Sequence, residues 1–265
     1  MTQISPTGLD AHKPAEIALL IEQAGVTKAR LGLVPLITLS VLAGVFISFG
    51  ALFFTQVTAG FDTLSGPVRL LGGAAFSLGL ILVVVGGGEL FTGNAMIVMA
   101  VVDRRVTILK LLRNWSIVFA GNLAGSLSTV LLVAGSGLLE GALGDRAIAI
   151  AEAKVTLSPV EALCRGILCN ALVCLAIWLA ASARTTMGKI MSILWPITAF
   201  VAVGLEHSIA NLYLIPVGMA AGAQVTLAGM VGNLVPVLIG NVIGGAGGVA
   251  LSYRLAYGPP TDKPS

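Results

Sequence analysis

Four residues carry chemistry at odds with the sequence around them: His207, Thr92, Glu89 and Glu206. His207 is the only histidine inside an apolar stretch of the chain. A neutral imidazole offers one donor and one acceptor and exchanges a proton near physiological pH. It can therefore donate a hydrogen bond to a small anion or lend it a proton. Protonation turns a weak-acid anion into a neutral species, which passes an apolar constriction at lower cost. Thr92 occupies a comparable setting earlier in the chain, and its hydroxyl can orient the imidazole. Glu89 and Glu206 would repel an anion if they faced its path. They read better as structural groups, each carboxylate accepting backbone N–H bonds and holding its loop. Asn94 and Asn211 read as loop or cap partners rather than ligands.

These residues need elements that hold them, and composition says of what kind. Hydrophobic residues make up 57% of the 265 positions and charged residues 10%, against about 25% charged in soluble domains. Lipid is the expected solvent for most of the chain. A net charge of +3 gives no electrostatic footprint for nucleic acid. Cys164, Cys169 and Cys174 recur every five residues, a spacing that turns about 140° around a helix and puts them on different faces. They read as small packing residues and make a poor metal site. The first thirty residues lack the continuous apolar core and cleavage site of a signal peptide.

Apolar segments run over 31–58, 70–102, 114–139, 157–183, 190–221 and 226–253. A crossing helix takes about 20 residues, so the second segment is too long for one straight passage. It is interrupted at Gly86-Gly87-Gly88-Glu89, and the fifth at Leu205–Ser208. The predicted fold is an all-α membrane protein with six crossings, two of them broken. Residues 1–30 form a leader, with 1–12 disordered and 14–30 an amphipathic helix lying on the membrane surface or over a pore mouth. Residues 31–254 form the transmembrane domain and 255–265 a tail. Lys13, Lys28, Arg30, Arg104, Arg105, Lys110, Arg113, Arg184, Lys189, Arg254 and Lys263 fall on one side of such a bundle. Arg69, Arg146, Lys154 and Arg165 fall on the other. The bias places both termini in the cytoplasm.

The two halves repeat each other. Glu89-Leu90-Phe91-Thr92-Gly93-Asn94 aligns with Glu206-His207-Ser208-Ile209-Ala210-Asn211, and Gly121-Asn122-Leu123-Ala124-Gly125 with Gly240-Asn241-Val242-Ile243-Gly244. Three crossings per half is an odd number, so the second half is inverted relative to the first. Inverted repeats with a broken helix in each point to a permeation site at the membrane midplane. The glycines of the second pair read as close helix packing. The breaks read differently, because unwound backbone at membrane depth must be buried in protein or line a cavity. A helix restarting there presents unpaired N–H groups and a partial positive charge that favour an anion. An ionisable residue at such a break is functional by default, which favours the functional reading of His207 over a merely packed one.

At GGGELFTGN (86–94), GLEHSIANLYLIPVGM (204–219) and VEALCRGILCNALVCLAIWLA (160–180) the chain resembles the formate/nitrite transporter family, and the resemblance spans nearly its whole length. It implies an aquaporin-like fold and a homopentamer in the inner membrane, each protomer with its own pore. It implies a central histidine at His207 with its threonine partner Thr92. Two apolar slits are implied at Phe76, Leu80, Leu90, Phe91, Val173 and Phe200. A vestibule lysine and asparagine are implied at Lys154 and Asn170, the lysine drawing anions in. Leu205 stands where the family often has an aromatic residue. The function implied is passage of formate, by channel or proton-coupled transport, with nitrite, hydrosulfide or another small monocarboxylate as the alternative. A neutral-solute pore is disfavoured, since a repeated Asn-Pro-Ala signature is missing. A membrane enzyme is disfavoured too, because no paired catalytic carboxylates, metal-ligand cluster or nucleotide loop can be read. No cofactor is implied.

Overall fold

A computed structural model describes residues 11–61 and 65–257. The expectation of disorder over 1–12 falls mainly outside these residues, as does most of the 255–265 tail. Among the described residues six helices are long and apolar enough to cross a membrane, so the chain is a multi-pass membrane protein.

Each half begins with a short helix that does not cross. In the first half this is α1 (Pro14–Ala29), followed by α2 (Leu33–Val57), α3 (Gly66–Ile81), the short α4 (Val98–Val102) and α5 (Ile108–Gly135). The second half runs α6 (Ala142–Val155), α7 (Pro159–Ser182), α8 (Thr186–Val203), α9 (Ser208–Ala221) and α10 (Leu227–Val242), ending in α11 (Ser252–Tyr257). A π-helical stretch, Leu82–Gly87, continues α3, and another, Ile243–Leu251, joins α10 to α11. Helix α6 was not foreseen from apolar length. It is short, carries Asp145, Arg146, Glu152 and Lys154, and buries only one face. It is the counterpart of α1, so the repeat includes a capping helix as well as three crossings.

The crossings start where capping chemistry allows. Ser158 and Glu161 form a reciprocal capping box at the start of α7, with Pro159 at its first position, two features that satisfy or remove orphan N–H groups. Thr107, Thr185 and Thr226 cap α5, α8 and α10 through their side chains. Helix α5 begins six residues before the apolar segment predicted for it, because Lys110 and Arg113 lie on its exposed first turns and cations at the membrane edge do not interrupt a helix.

In the first half α2 packs on α3 and α5; in the second α7 packs on α8 and α10. The halves meet through α3 on α8 and α5 on α9. Gly125 on α5 faces the Val41 carbonyl and Gly244, just beyond α10, faces the Ile167 carbonyl, each so closely that a Cβ would collide with backbone. The glycine pairs read from the repeat are thus the points where crossings touch backbone to backbone.

Candidate functional site

Both breaks open on a left-handed glycine, Gly87 (φ 95°) and Gly204 (φ 84°), a conformation glycine adopts without a Cβ penalty. The second crossing restarts as a 3-10 turn, Gly93–Ile97, leading into α4; the fifth restarts as α9, directly after His207. His207 is the N-cap of α9: its Nδ1 accepts the Ala210 N–H at 3.0 Å. That bond leaves the ring proton on Nε2, which donates to Thr92 Oγ1 at 3.0 Å. The ring stacks on Phe200, centroids 5.9 Å apart and planes 18° apart. Thr92 and His207 are buried, and Thr92's own carbonyl accepts from Asn170 Nδ2 at 3.1 Å.

Behind each break lies a brace of the same composition. Lys28 Nζ donates to Glu89 Oε1 at 2.7 Å, and Asn94 Nδ2 to Glu89 Oε2 at 2.7 Å and Asn114 Oδ1 at 2.8 Å; Asn114 Nδ2 donates to the Lys28 carbonyl at 3.2 Å. On the other side Lys154 Nζ donates to Glu206 Oε1 at 2.8 Å, and Asn211 Nδ2 to Glu206 Oε2 at 2.6 Å and Asn233 Oδ1 at 2.7 Å; Asn233 Nδ2 donates to the Lys154 carbonyl at 2.8 Å. Asn122 completes the first brace, donating to the Ser40 and Glu89 carbonyls and accepting from Phe91 N–H. Asn241 repeats this with the carbonyls of Gly166 and Glu206 and with Ser208 N–H. Lysine and amide side chains hold both carboxylates, where backbone N–H donors were expected. The loop N–H groups are taken by Asn122 and Asn241.

The braces are not identical: Asn233 Nδ2 also reaches Glu206 Oε2, at 3.5 Å, and the two asparagine oxygens differ. Lys28 also reaches Asn94 Oδ1 at 3.1 Å. Asn211 Oδ1, its counterpart, is buried and has no partner among the described residues, and Asn211 lines a cavity.

Two cavities flank the Thr92–His207 contact. The distal cavity, on the face away from α1, has a volume of about 250 Å³ and is lined by Phe76, Phe200, Lys154, Glu206, His207 and Asn211, with Arg69, Arg146 and Arg165. The leader-side cavity, about 320 Å³, is lined by Leu80, Leu90, Lys28, Glu89 and Asn94, with Ile21, Ala24 and Gly25 of α1 forming part of its wall. Helix α1 therefore contributes to the wall of this cavity.

Of the slit residues, Phe76 and Phe200 lie edge to face, 5.4 Å between centroids, on the distal side. Leu80, one turn along α3, and Leu90 lie on the leader side. Phe91 turns instead onto Trp115 and Phe119 of α5, and Val173 is buried in the core; neither is among the cavity-lining residues. Asn170 is buried between the carbonyls of Thr92 and Asn241 and does not line the distal cavity with Lys154. An asparagine within α7 bridges to whichever carbonyls the neighbouring crossings leave free, and sequence spacing does not reveal those. Lys28, Asn114 and Asn233 were not foreseen as site residues. Asn114 and Asn122 have the same eight-residue spacing as Asn233 and Asn241, so carrying the repeat back about two turns finds both amides.

A helical membrane protein with two facing breaks, a cavity behind each and a polar contact between them has the build of a permeation scaffold. A family profile described as "Formate/nitrite transporter" matches residues 15–255. The chain is 40% identical over 271 aligned residues to "Formate channel FocA" of Escherichia coli K12, covering 94% of this chain and 95% of that one. Among solved structures, an "FNT family ion channel" superposes with a TM-score of 0.85 at 30% identity, covering 92% and 99% of the two chains. A "Pentameric formate channel with formate bound" superposes with a TM-score of 0.78 at 37% identity, covering 85% and 97%. The chain belongs to the formate/nitrite transporter family.

Proposed function

We propose that this chain passes formate across the inner membrane, one pore per protomer of a homopentamer, with both termini in the cytoplasm. The observation that carries this reading is the Thr92–His207 contact, set between two cavities at the point where α9 begins. An anion arriving from the distal cavity meets the positive end of the α9 dipole, worth about half a unit charge, and the Nε2–H of His207, which exchanges Thr92 for the anion. Burial raises the cost of the anion's charge and favours its protonated form. Asn211 Oδ1 offers an acceptor for the resulting O–H.

The cap bond from Ala210 N–H to Nδ1 bears on which of two roles His207 takes. Lending a proton requires an imidazolium, with a second proton on Nδ1, where the Ala210 N–H already sits. The geometry favours the neutral ring as a hydrogen-bond donor, with the proton that accompanies formate coming from water in the cavity. Identity of 40% to a protein named a formate channel supports the substrate, and a pentameric structural neighbour with formate bound supports the assembly.

The test is uptake by proteoliposomes, with formate, nitrite, hydrosulfide and acetate each measured with and without a pH gradient. Fastest flux for formate, lost in His207→Phe while the oligomer persists, is expected. Unchanged flux in that variant would sink the role given to His207, and preference for another anion would replace the substrate.

A further inference from the structure

The two cavities are alike in plan but not in charge. The leader-side cavity holds one lysine and one glutamate, Lys28 and Glu89, joined as a pair. The distal cavity holds the equivalent pair, Lys154 and Glu206, and adds Arg69, Arg146 and Arg165. Sequence symmetry does not require these arginines.

Arg146 and Arg165 are half-buried. Arg146 Nε donates to Thr58 Oγ1 at 3.1 Å, and Arg165 Nη1 to the Gly204 carbonyl at 3.4 Å, at the start of the second break. These neutral acceptors fix each side chain while leaving further guanidinium N–H groups to donate. Neither residue has an ion-pair partner among the described residues. Glu161, one turn before Arg165, is engaged with the N–H and hydroxyl of Ser158. Burial, with Arg69 nearby adding to it, pulls the Arg146 guanidinium below its ordinary value, the mark of a partly desolvated cation beside another cation.

We infer that Arg146 and Arg165 form a second anion site in the distal cavity, which takes small dicarboxylates and holds them without passing them. Guanidinium presents paired N–H donors that match a carboxylate, and two such groups on one cavity suit a ligand with two carboxylates. Attraction scales with the product of the charges, so a dianion gains more here than formate. It cannot follow formate onward, because it needs two protons to become neutral before the Phe76–Phe200 constriction. The ligand class is a blocker from one side only. The inference goes beyond the proposed formate passage, and its primary test does not depend on transport.

Binding of oxalate to the detergent-solubilised full chain, measured by calorimetry at low ionic strength, is the test, with formate as the reference. Oxalate should bind roughly tenfold or more tightly than formate, as one additional charge-assisted pair provides. The preference should collapse in Arg146→Gln/Arg165→Gln and return in part in Arg146→Lys/Arg165→Lys, with the oligomer checked by size exclusion. In sealed vesicles, oxalate should slow formate uptake when added to the distal face and not to the leader face. Equal affinity for the two anions, a preference that survives the Gln substitutions, or block from both faces would each overturn the site. Calorimetry answers even where formate is not the transported anion, so failure of that reading and failure of this one are distinguishable.

Discussion

Thr92 Oγ1 and His207 Nε2 lie 3.0 Å apart although 115 positions separate them in the chain. The bond joins the two breaks. Because Nδ1 is occupied by the Ala210 N–H, the threonine hydroxyl is the only resting acceptor for the ring's remaining proton among the described residues. Thr92→Val should leave that proton unpaired, and Thr92→Ser should keep the bond. Formate flux in proteoliposomes should fall by about tenfold or more in the valine variant, the scale of about 1.4 kcal/mol or greater for an unsatisfied buried donor, and change little in the serine variant. Equal fluxes in the two variants would show that the hydroxyl has no part.

Lys154 and Glu206 form a pair with side chains 13% and 5% exposed. Removing one partner strands a buried charge, at a cost of about 3–5 kcal/mol. Lys154→Met should lower thermal stability in detergent strongly, and Lys154→Met/Glu206→Gln should recover much of the loss. Lys154 also carries charge into the distal cavity, so the single variant should weaken formate uptake most at low ionic strength. An unaltered salt dependence would count against attraction by this residue.

Asn233 serves Asn211, Glu206 and the Lys154 carbonyl at once. Asn233→Leu should destabilise the protein by about 1–3 kcal/mol for each group left unsatisfied. Asn114→Leu should have a similar but smaller effect, because its cation Lys28 is 33% exposed and water can replace the lost donor. Unfolding midpoints of the two variants give the comparison, and no loss in either would mean the amides brace nothing.

Gly244 separates two further outcomes. An added methyl would meet the Ile167 carbonyl, whereas at Gly232 it would meet nothing within 4 Å. Gly244→Ala should cost about 1–3 kcal/mol by overpacking, and Gly232→Ala should be neutral or slightly stabilising. Matching stabilities would overturn the close approach of these crossings.

Helix α1 contributes Lys28 to the brace and Ile21, Ala24 and Gly25 to the leader-side cavity wall. Deleting residues 1–30 should therefore change the pH–flux profile, opening the cavity and stripping Glu89 of its cation together. Lys28→Gln should reproduce only the second effect. A profile identical to that of the full chain would reject any gating by the leader.

The repeat, the six crossings and the two breaks were legible because each leaves a pattern along the chain: apolar length, a glycine run, and a Glu-to-Asn spacing that recurs. What sequence hid was of two kinds. Helix α6 and Lys28 lie in polar stretches, where apolar length says nothing and only symmetry between halves points to them. Asn170 and Phe91 sit in the right crossings, but their directions depend on which neighbour packs beside them. The resemblance implies a slit position for Phe91, whose ring packs edge-on against Trp115 and Phe119 of α5. The expected backbone donors to the two glutamates are replaced by lysine and amide side chains, because the residues that reach the carboxylates lie on other elements.

Each brace is built within its own half. Lys28, Glu89, Asn94, Asn114 and Asn122 bond among themselves and to carbonyls of their half, and Lys154, Glu206, Asn211, Asn233 and Asn241 do likewise. During synthesis, which delivers N-terminal segments first, the first broken crossing can settle its polar groups before the second half has left the ribosome. The second half then needs no donor from the first to tuck Glu206 away. The Thr92–His207 bond takes one residue from each half, so it forms only once the two halves have docked.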